Sequence, residues 1–318
     1  MLLDLFQVMQ FTVFAAMSIL ALSLAFVWGY GGILSFGQAA FFGLGAYTYA
    51  VAEINIGEST LPILLAIALP AVFAMLLGYF LFYGRLSDVY LAVVTLAVNL
   101  VLFSFISSTA GDAYKIGNAR LNGFNGIPSI PPINVPGRAN AILMPDQVFY
   151  LTMGCLIGVY LCLRWLLASH FGRILVAIRE NETRADLLGY DIRRYKLVAF
   201  TIGGAIAGLA GCLFANWGAF VSPDVFSLAS AAQVIMWVVI GGLGTLVGPL
   251  IGCVALQYLA TILGTQQALN TNLVFGAILV LCVLLMPSGI APSITKLRVR
   301  LWQAVRSRAG HDHRVMQG

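Results

Sequence analysis

Long unbroken apolar blocks, separated by short polar joints, dominate the chain. They run approximately from Phe11 to Gly29, Ile33 to Ala52, Leu61 to Tyr83, Val89 to Ile106, Val148 to Ala168, Leu197 to Asn216, Ala231 to Gly244, Leu246 to Leu263 and Asn272 to Pro287. A helix needs roughly 20 apolar residues to cross a bilayer, and backbone groups in lipid must be satisfied within the segment. The blocks therefore predict an all-α, polytopic transmembrane bundle of about nine spans, eight to ten allowing for error. The alternation of a membrane barrel is absent. The seventh and eighth blocks are short and share a glycine-rich joint, so broken or re-entrant helices are expected there. No Lys or Arg precedes the first block and no small-residue cleavage site follows it, so it reads as a retained span.

Composition agrees. The 318 residues are 60% hydrophobic and 9% charged, with a mean hydropathy of +0.94, whereas a soluble domain carries about 25% charged residues. The five cysteines, Cys155, Cys162, Cys212, Cys253 and Cys282, all lie in apolar blocks without metal-ligand spacing and read as small packing residues.

Charge gives an orientation. Three of the seventeen Lys and Arg (Lys115, Arg120 and Arg138) lie in one long connection, Ser107–Gln147. The others fall at Arg85, at Arg164, between Gly172 and Lys196, or in a tail holding Lys296, Arg298, Arg300, Arg306, Arg308 and Arg314. Basic residues favour the cytoplasmic side. The expectation is N-out/C-in, with a transmembrane domain over 1–295 and a basic cytoplasmic tail over 296–318. The 107–147 loop would lie outside, either disordered or packed as a lid through Phe124, Ile127, Ile130 and Ile133.

The blocks hold no acid or base deep inside; Asp88 and Asp224 sit at margins. Ion-coupled carriers place ionisable groups there. Neutral polar residues take their place: Ser35, Gln38, Thr95, Asn99, Asn216, Gln233 and Gln257. They either bond neighbouring helices or line a route for a neutral or zwitterionic solute. For the route the expected residues are Ser35, Gln38, Thr95 and Asn99, walled by Phe36, Phe41 and Tyr47. Two glycine-rich stretches, Gly29–Gly45 and Gly241–Gly252, suit close helix contact or broken helices. Neither carries a phosphate-binding lysine. Two of the three histidines are in the tail, and no catalytic constellation forms; the chain is not expected to be an enzyme, to hold a metal or a cofactor, or to bind nucleic acid.

One interruption stands apart. Residues 172–196 contain Arg173, Arg179, Arg184, Arg193, Arg194 and Lys196 with Glu180, Glu182, Asp186 and Asp191. Helical spacing predicts one amphipathic helix from 178 to 189, with Ile178, Ala185 and Leu188 on one face, Arg179, Glu182 and Asp186 three and four apart, and Gly189 as the stop.

The stretch G-R-I-L-V-A-I-R-E-N-E-T-R-A-D-L-L-G-Y (172–190), with K-L-V-A-F and A-I-A-G-L-A-G after it, resembles the membrane permease of branched-chain amino acid ABC importers, M-type subunit. G-Y-G-G-I-L-S-F-G-Q-A-A-F-F-G-L-G-A-Y (29–47), Y-L-A-V-V-T-L-A (90–97), G-G-L-G-T-L-V-G-P (241–249) and L-L-M-P-S-G (284–289) extend the likeness over about Trp28 to Gly289. The segment L-N-G-F-N-G-I (121–127) departs from the family pattern and resembles the related urea and short-amide permeases.

The resemblance implies half of a translocation pathway in a bacterial inner membrane. It implies a second homologous permease, two cytoplasmic ATPases that bind the ATP, a periplasmic solute-binding protein and surrounding lipid. It also implies a docking role on the ATPase for Arg179, Glu180, Asn181, Glu182, Arg184, Leu187, Leu188 and Gly189. A urea or amide permease, and a passive channel for a small neutral solute, are the alternatives.

Overall fold

The computed structural model describes residues 5–84, 86–111, 113–135, 138–266 and 276–277. All but two residues of the ninth expected span, together with Cys282, Arg85 and the tail 296–318, lie outside the described residues. The described chain is mostly helical: α1 (Leu5–Leu24) continued by a π-helical turn (Ala25–Tyr30), α2 (Gln38–Ile56), α3 (Thr60–Tyr83), α4 (Asp88–Ser108), α5 (Pro145–Ala168), α6 (His170–Glu180), α7 (Glu182–Leu187), α8 (Ile192–Gly218), α9 (Leu228–Gly241) and α10 (Val247–Gln266). The extended α1, α3, α4, α5 and α8 are long and apolar enough to cross a membrane, while α9 and α10 are shorter apolar helices.

Eight of the nine expected spans thus coincide with helices. The second is corrected at its start. Residues 33–37 are not helical, and α2 begins at Gln38. The glycines before it let α1 widen into a π turn, where Gly31 N–H bonds Phe26 O at 3.2 Å and Ile33 N–H bonds Val27 O at 3.2 Å. Gly32 then turns the chain at φ +70°.

Small residues set the centre. In α3 the buried stripe Pro62, Ala66, Pro70, Ala74 and Gly78 recurs every fourth residue. It meets Gly204 and Gly208 of α8, where a Cβ on Gly208 would come 2.4 Å from Ala66 O. On its other side α8 touches α2: a Cβ on Gly211 would lie 2.0 Å from Phe42 O, and one on Gly45 would lie 2.3 Å from Gly208 O. No real side chain fits at such distances, so the three backbones approach only because these positions are glycine. Phe41, Phe82 and Phe200 close the space below, with Phe41 and Phe200 edge to face at 5.3 Å. The hairpin of α9 and α10 repeats the device through Gly241 and Gly248.

By contrast α4 and α5 turn apolar side chains outward: Val89, Tyr90, Val93, Val101 and Phe105 on one, Tyr150, Ile157, Leu161 and Trp165 on the other.

The long connection is packed, and it adds short strands to the all-α expectation. β1 (Lys115–Ile116) pairs with β2 (Ala119–Arg120), β3 (Ile127–Pro128) with β6 (Phe220–Val221), and β4 (Asn134–Val135) with β5 (Arg138–Ile142). Ile127, Ile130 and Ile133 are buried, whereas Phe124 is exposed. Asn134 anchors the segment to the α2–α3 turn. Its side chain accepts from Ser59 N–H at 2.9 Å and donates to Gly57 O at 2.9 Å. Ser59 in turn donates to the buried Glu53 carboxylate at 3.0 Å.

The element ends sort onto two faces. Trp217 Nε1, near the end of α8, donates to Met9 O at 2.7 Å, so the start of α1 lies on the face that carries the loop. The far end of α1 meets α6, where Arg179 donates to Gly29 O.

Candidate functional site

The charged segment folds as two short helices. Asn181 leaves the helical region (φ −162°, ψ 101°), and its side chain accepts from Arg184 N–H at 2.9 Å, capping α7. The single helix expected over 178–189 is therefore broken at 181. An Asn side chain competes with the helical backbone for its own neighbours' amides, and so favours a cap over an interior position. The far end matches the expectation for Gly189. It has φ +84°, Tyr190 N–H reaches Ala185 O at 3.3 Å, and Gly189 N–H reaches Asp186 O at 2.8 Å, the paired bonds of a Schellman stop.

The break redistributes the faces. Ile178 and Ala185 are buried together with Ile174 under Tyr190, Ile192 and Tyr195. Leu188, expected on that face, is instead 74% exposed, and Leu187 is 83% exposed. Arg179 and Glu182 no longer face each other. Arg179 pairs with Glu180, and Glu182 pairs with the nearly buried Lys196 on α8. Arg184 and Asn181 are exposed. A cleft of about 710 Å³ opens beside α7, lined by Phe82, Glu182, Asp186, Tyr190, Arg193 and Lys196 among others. The segment is thus anchored on one side by Ile178, Ala185 and the Glu182–Lys196 pair. On the other it presents two adjacent leucines.

The residues expected to line a route fall into two groups. Ser35, Phe36 and Thr95 meet where α2 starts. Thr95 Oγ1 accepts from Phe36 N–H at 3.2 Å, and Ser35 Oγ accepts from Gly37 N–H at 3.0 Å. Asn99 lies one turn further along α4, fully buried, with neither amide atom hydrogen-bonded among the described residues. Tyr47 packs on Phe226 at 5.7 Å, and its hydroxyl is likewise unpaired among the described residues. A buried polar group without a partner is costly, and these three atoms lie among the residues expected to line the route.

Gln38 and Phe41 sit elsewhere. Gln38 accepts from Ser23 Oγ of α1 at 3.1 Å, and Phe41 belongs to the ring cluster with Phe73 and Phe200.

Sequence reasoning missed three things. Glu53 is fully buried near the C-terminal end of α2. Lys196 is the partner of Glu182. Gly29, Gly32 and Gly244, from both glycine-rich stretches, gather around Arg179. The Gly32 and Gly244 turns were visible as glycine; their meeting was not.

Comparison with known proteins gives the setting. Residues 7–284 match the family described as the permease component of the branched-chain amino acid transport system. The chain is 32% identical over 311 residues to the high-affinity branched-chain amino acid transport system permease protein LivM of Escherichia coli, covering 89% of this chain and 69% of that one. It is 25% identical over 323 residues to a probable LivM of Methanocaldococcus jannaschii, with 86% and 90% covered. It is 28% identical over 169 residues to LivH of Escherichia coli, with 50% and 51% covered. No solved structure matches it significantly. With the matched region running from the first turns of α1 through the charged segment and α10, the chain belongs to the permease-component family of branched-chain amino acid transport systems and is a multi-pass membrane permease.

Proposed function

We propose that the chain forms half of the membrane pathway of an ATP-driven importer for branched-chain amino acids in a bacterial inner membrane. Its partners would be a second, homologous permease, two cytoplasmic ATPases and a periplasmic solute-binding protein. The observation that carries the reading is the charged segment. A permease moved by an ATPase needs a surface outside the lipid that is rigidly joined to the bundle, and α6–α7 has that build: a buried, ion-paired inner side and two leucines presented outward. A passive channel has no use for such a surface. Relatedness to both LivM and LivH supports pairing with a second permease.

The two-faced arrangement of helix ends fits the orientation read from charge. In it the start of α1 and the 107–147 loop lie outside, and α6–α7 lies in the cytoplasm. The route would follow Ser35, Phe36 and Thr95 past Asn99 toward Tyr47, where neutral groups can exchange hydrogen bonds with a zwitterion without trapping it. Gln38 and Phe41 would brace the helix that carries them. ATP binding would act by stabilising one of two conformations of the permease pair, and solute would bind them with different affinity.

Co-expression with the cognate ATPases, second permease and binding protein, then reconstitution in liposomes, tests this. ATP-dependent uptake of labelled leucine, competed by isoleucine and valine, is expected. Uptake of urea or a short amide in its place would reassign the cargo. Leucine flux without ATP or ATPase would replace the reading with a channel. Labelling of a cysteine at Glu182 from the periplasmic face would reverse the orientation.

A further inference from the structure

The resemblance implies a docking role for Arg179, and in the structure its side chain also reaches the bundle. It is the second-to-last residue of α6, yet its side chain runs inward to the bundle. One Nη donates to the carbonyl of Gly29, in the π turn that ends α1. Gly32, at φ +70°, lies so close that a Cβ there would stand 3.0 Å from Arg179 Cγ. Gly244, at φ +82° in the joint between α9 and α10, would place a Cβ 3.4 Å from Arg179 Nη1. Gly29 and Gly244 also touch each other, with 3.0 Å between a Cβ at 29 and the Gly244 amide nitrogen. Both glycine-rich stretches therefore meet around one guanidinium.

The joints it holds are mechanically special. The first leads through the non-helical residues 33–37 into α2, and so positions Ser35 and Phe36 against Thr95. The second closes the α9–α10 hairpin. Positive φ at Gly32 and Gly244 means that each joint can change backbone conformation at little steric cost, while the helices on either side cannot. Arg suits a tie of this kind. Its charge is permanent, and its planar fork holds direction as well as distance. Glu180 pairs with the other Nη and fixes the fork. Meanwhile Glu182–Lys196 fastens α7 to α8. A push on Leu187 and Leu188 thus has two outlets: α8, which is locked by glycine contacts, and the two soft joints.

We propose that Arg179 is the positioning residue that transmits movement of the α6–α7 segment to the joints Gly29–Gly37 and Gly242–Gly244, which act together as the inner gate. This rests on the importer reading above and names the linkage within it.

The test uses the complete complex in liposomes with Arg179→Met and Arg179→Lys. Four quantities are read: ATPase retained on purification, ATP hydrolysis, leucine transported per ATP, and the thermal midpoint. Loss of a charged hydrogen bond supports about a tenfold to hundredfold effect. Arg179→Met is expected to keep the ATPase and hydrolyse ATP, while leucine per ATP falls by that factor; Arg179→Lys should fall between it and the parent. Unchanged leucine per ATP in both variants overturns the proposal. So does a loss of uptake that merely follows lost protein or a lowered midpoint. Should Arg179→Met fail to assemble, Arg179→Lys, with stem and charge intact, decides by the same ratio. If the parent chain itself retains no ATPase, the importer reading has failed, and this linkage with it; a parent that couples while the variants couple equally well refutes the linkage alone.

Discussion

Glycine does opposite work in two regions of this permease. Along α8, Gly204, Gly208 and Gly211 lie in regular helix and bring three backbones into contact. At Gly32, Gly242 and Gly244, between helices, the same residue takes positive φ. In one place the missing Cβ removes an obstacle between rigid parts. In the other it removes an obstacle to backbone rotation. The difference teaches that a glycine count does not distinguish a weld from a hinge; the neighbours within 4 Å and the sign of φ do.

The contrast can be broken most sharply at the contact. Gly211→Leu places side-chain atoms where Phe42 O already lies 2.0 Å from a bare Cβ. Overpacking costs about 1–3 kcal/mol and more where backbone cannot yield, so the expected outcome is loss of monodisperse protein after detergent extraction. Recovery of folded protein at the parent level would mean that α2 and α8 are not locked together.

The joint should respond differently. Gly244→Ala forces an L side chain into the left-handed region, at a cost of about 1–2 kcal/mol. Folded protein should survive with a lowered thermal midpoint, while transport per ATP falls more than the midpoint implies. Equal losses in both would make Gly244 another packing glycine.

Away from both regions, Leu187→Ser with Leu188→Ser should leave stability within about 0.5 kcal/mol, as exposed substitutions do. Burying one Leu contributes about 1.5–3 kcal/mol, so ATPase retention should weaken about tenfold or more. Full retention would move the docking surface elsewhere. These two residues are cleaner probes than Glu182, whose change would also remove an ion pair with Lys196.

The smallest effect is expected at Gln38, which lies between weld and hinge. It bonds Ser23 through Oε1, while its Nε2 is unpaired among the described residues and sits 3.4 Å from a Cβ placed on Gly203. Gln38→Leu removes an unpaired buried donor along with the bond, so stability should change by less than about 1 kcal/mol. Unaltered uptake would assign Gln38 to packing; reduced uptake would return it to the route.

Much of this was legible in the sequence, because lipid imposes one requirement everywhere: apolar length. Helices α3, α4 and α5 follow their apolar blocks to within a few residues. The stop at Gly189 was legible too, since a terminal glycine has a local cause. What was not legible depends on distant partners. Asn181 breaks a helix that charge spacing favours because its own side chain caps the next one. Leu188 leaves the buried face because of that break. Lys196 finds Glu182 across two elements, and the loop that reads as glycine, asparagine and proline is ordered by Asn134 reaching the α2–α3 turn. Spacing along a chain reports none of these.

The bond from Trp217 to Met9 joins residues 208 positions apart, and it bears on how the protein is made. Helix α1 is made before α8, α9 and α10, yet much of what covers it belongs to them. At about 5–20 residues per second, its strap arrives roughly 10–40 s after it does. During that interval lipid, or the insertion machinery, must shelter a helix whose Ala16, Ile19 and Leu22 end fully covered by protein. A nascent chain stalled before residue 217 would leave α1 exchangeable, able to be displaced by an added α1 peptide; one stalled beyond α10 would hold it fast.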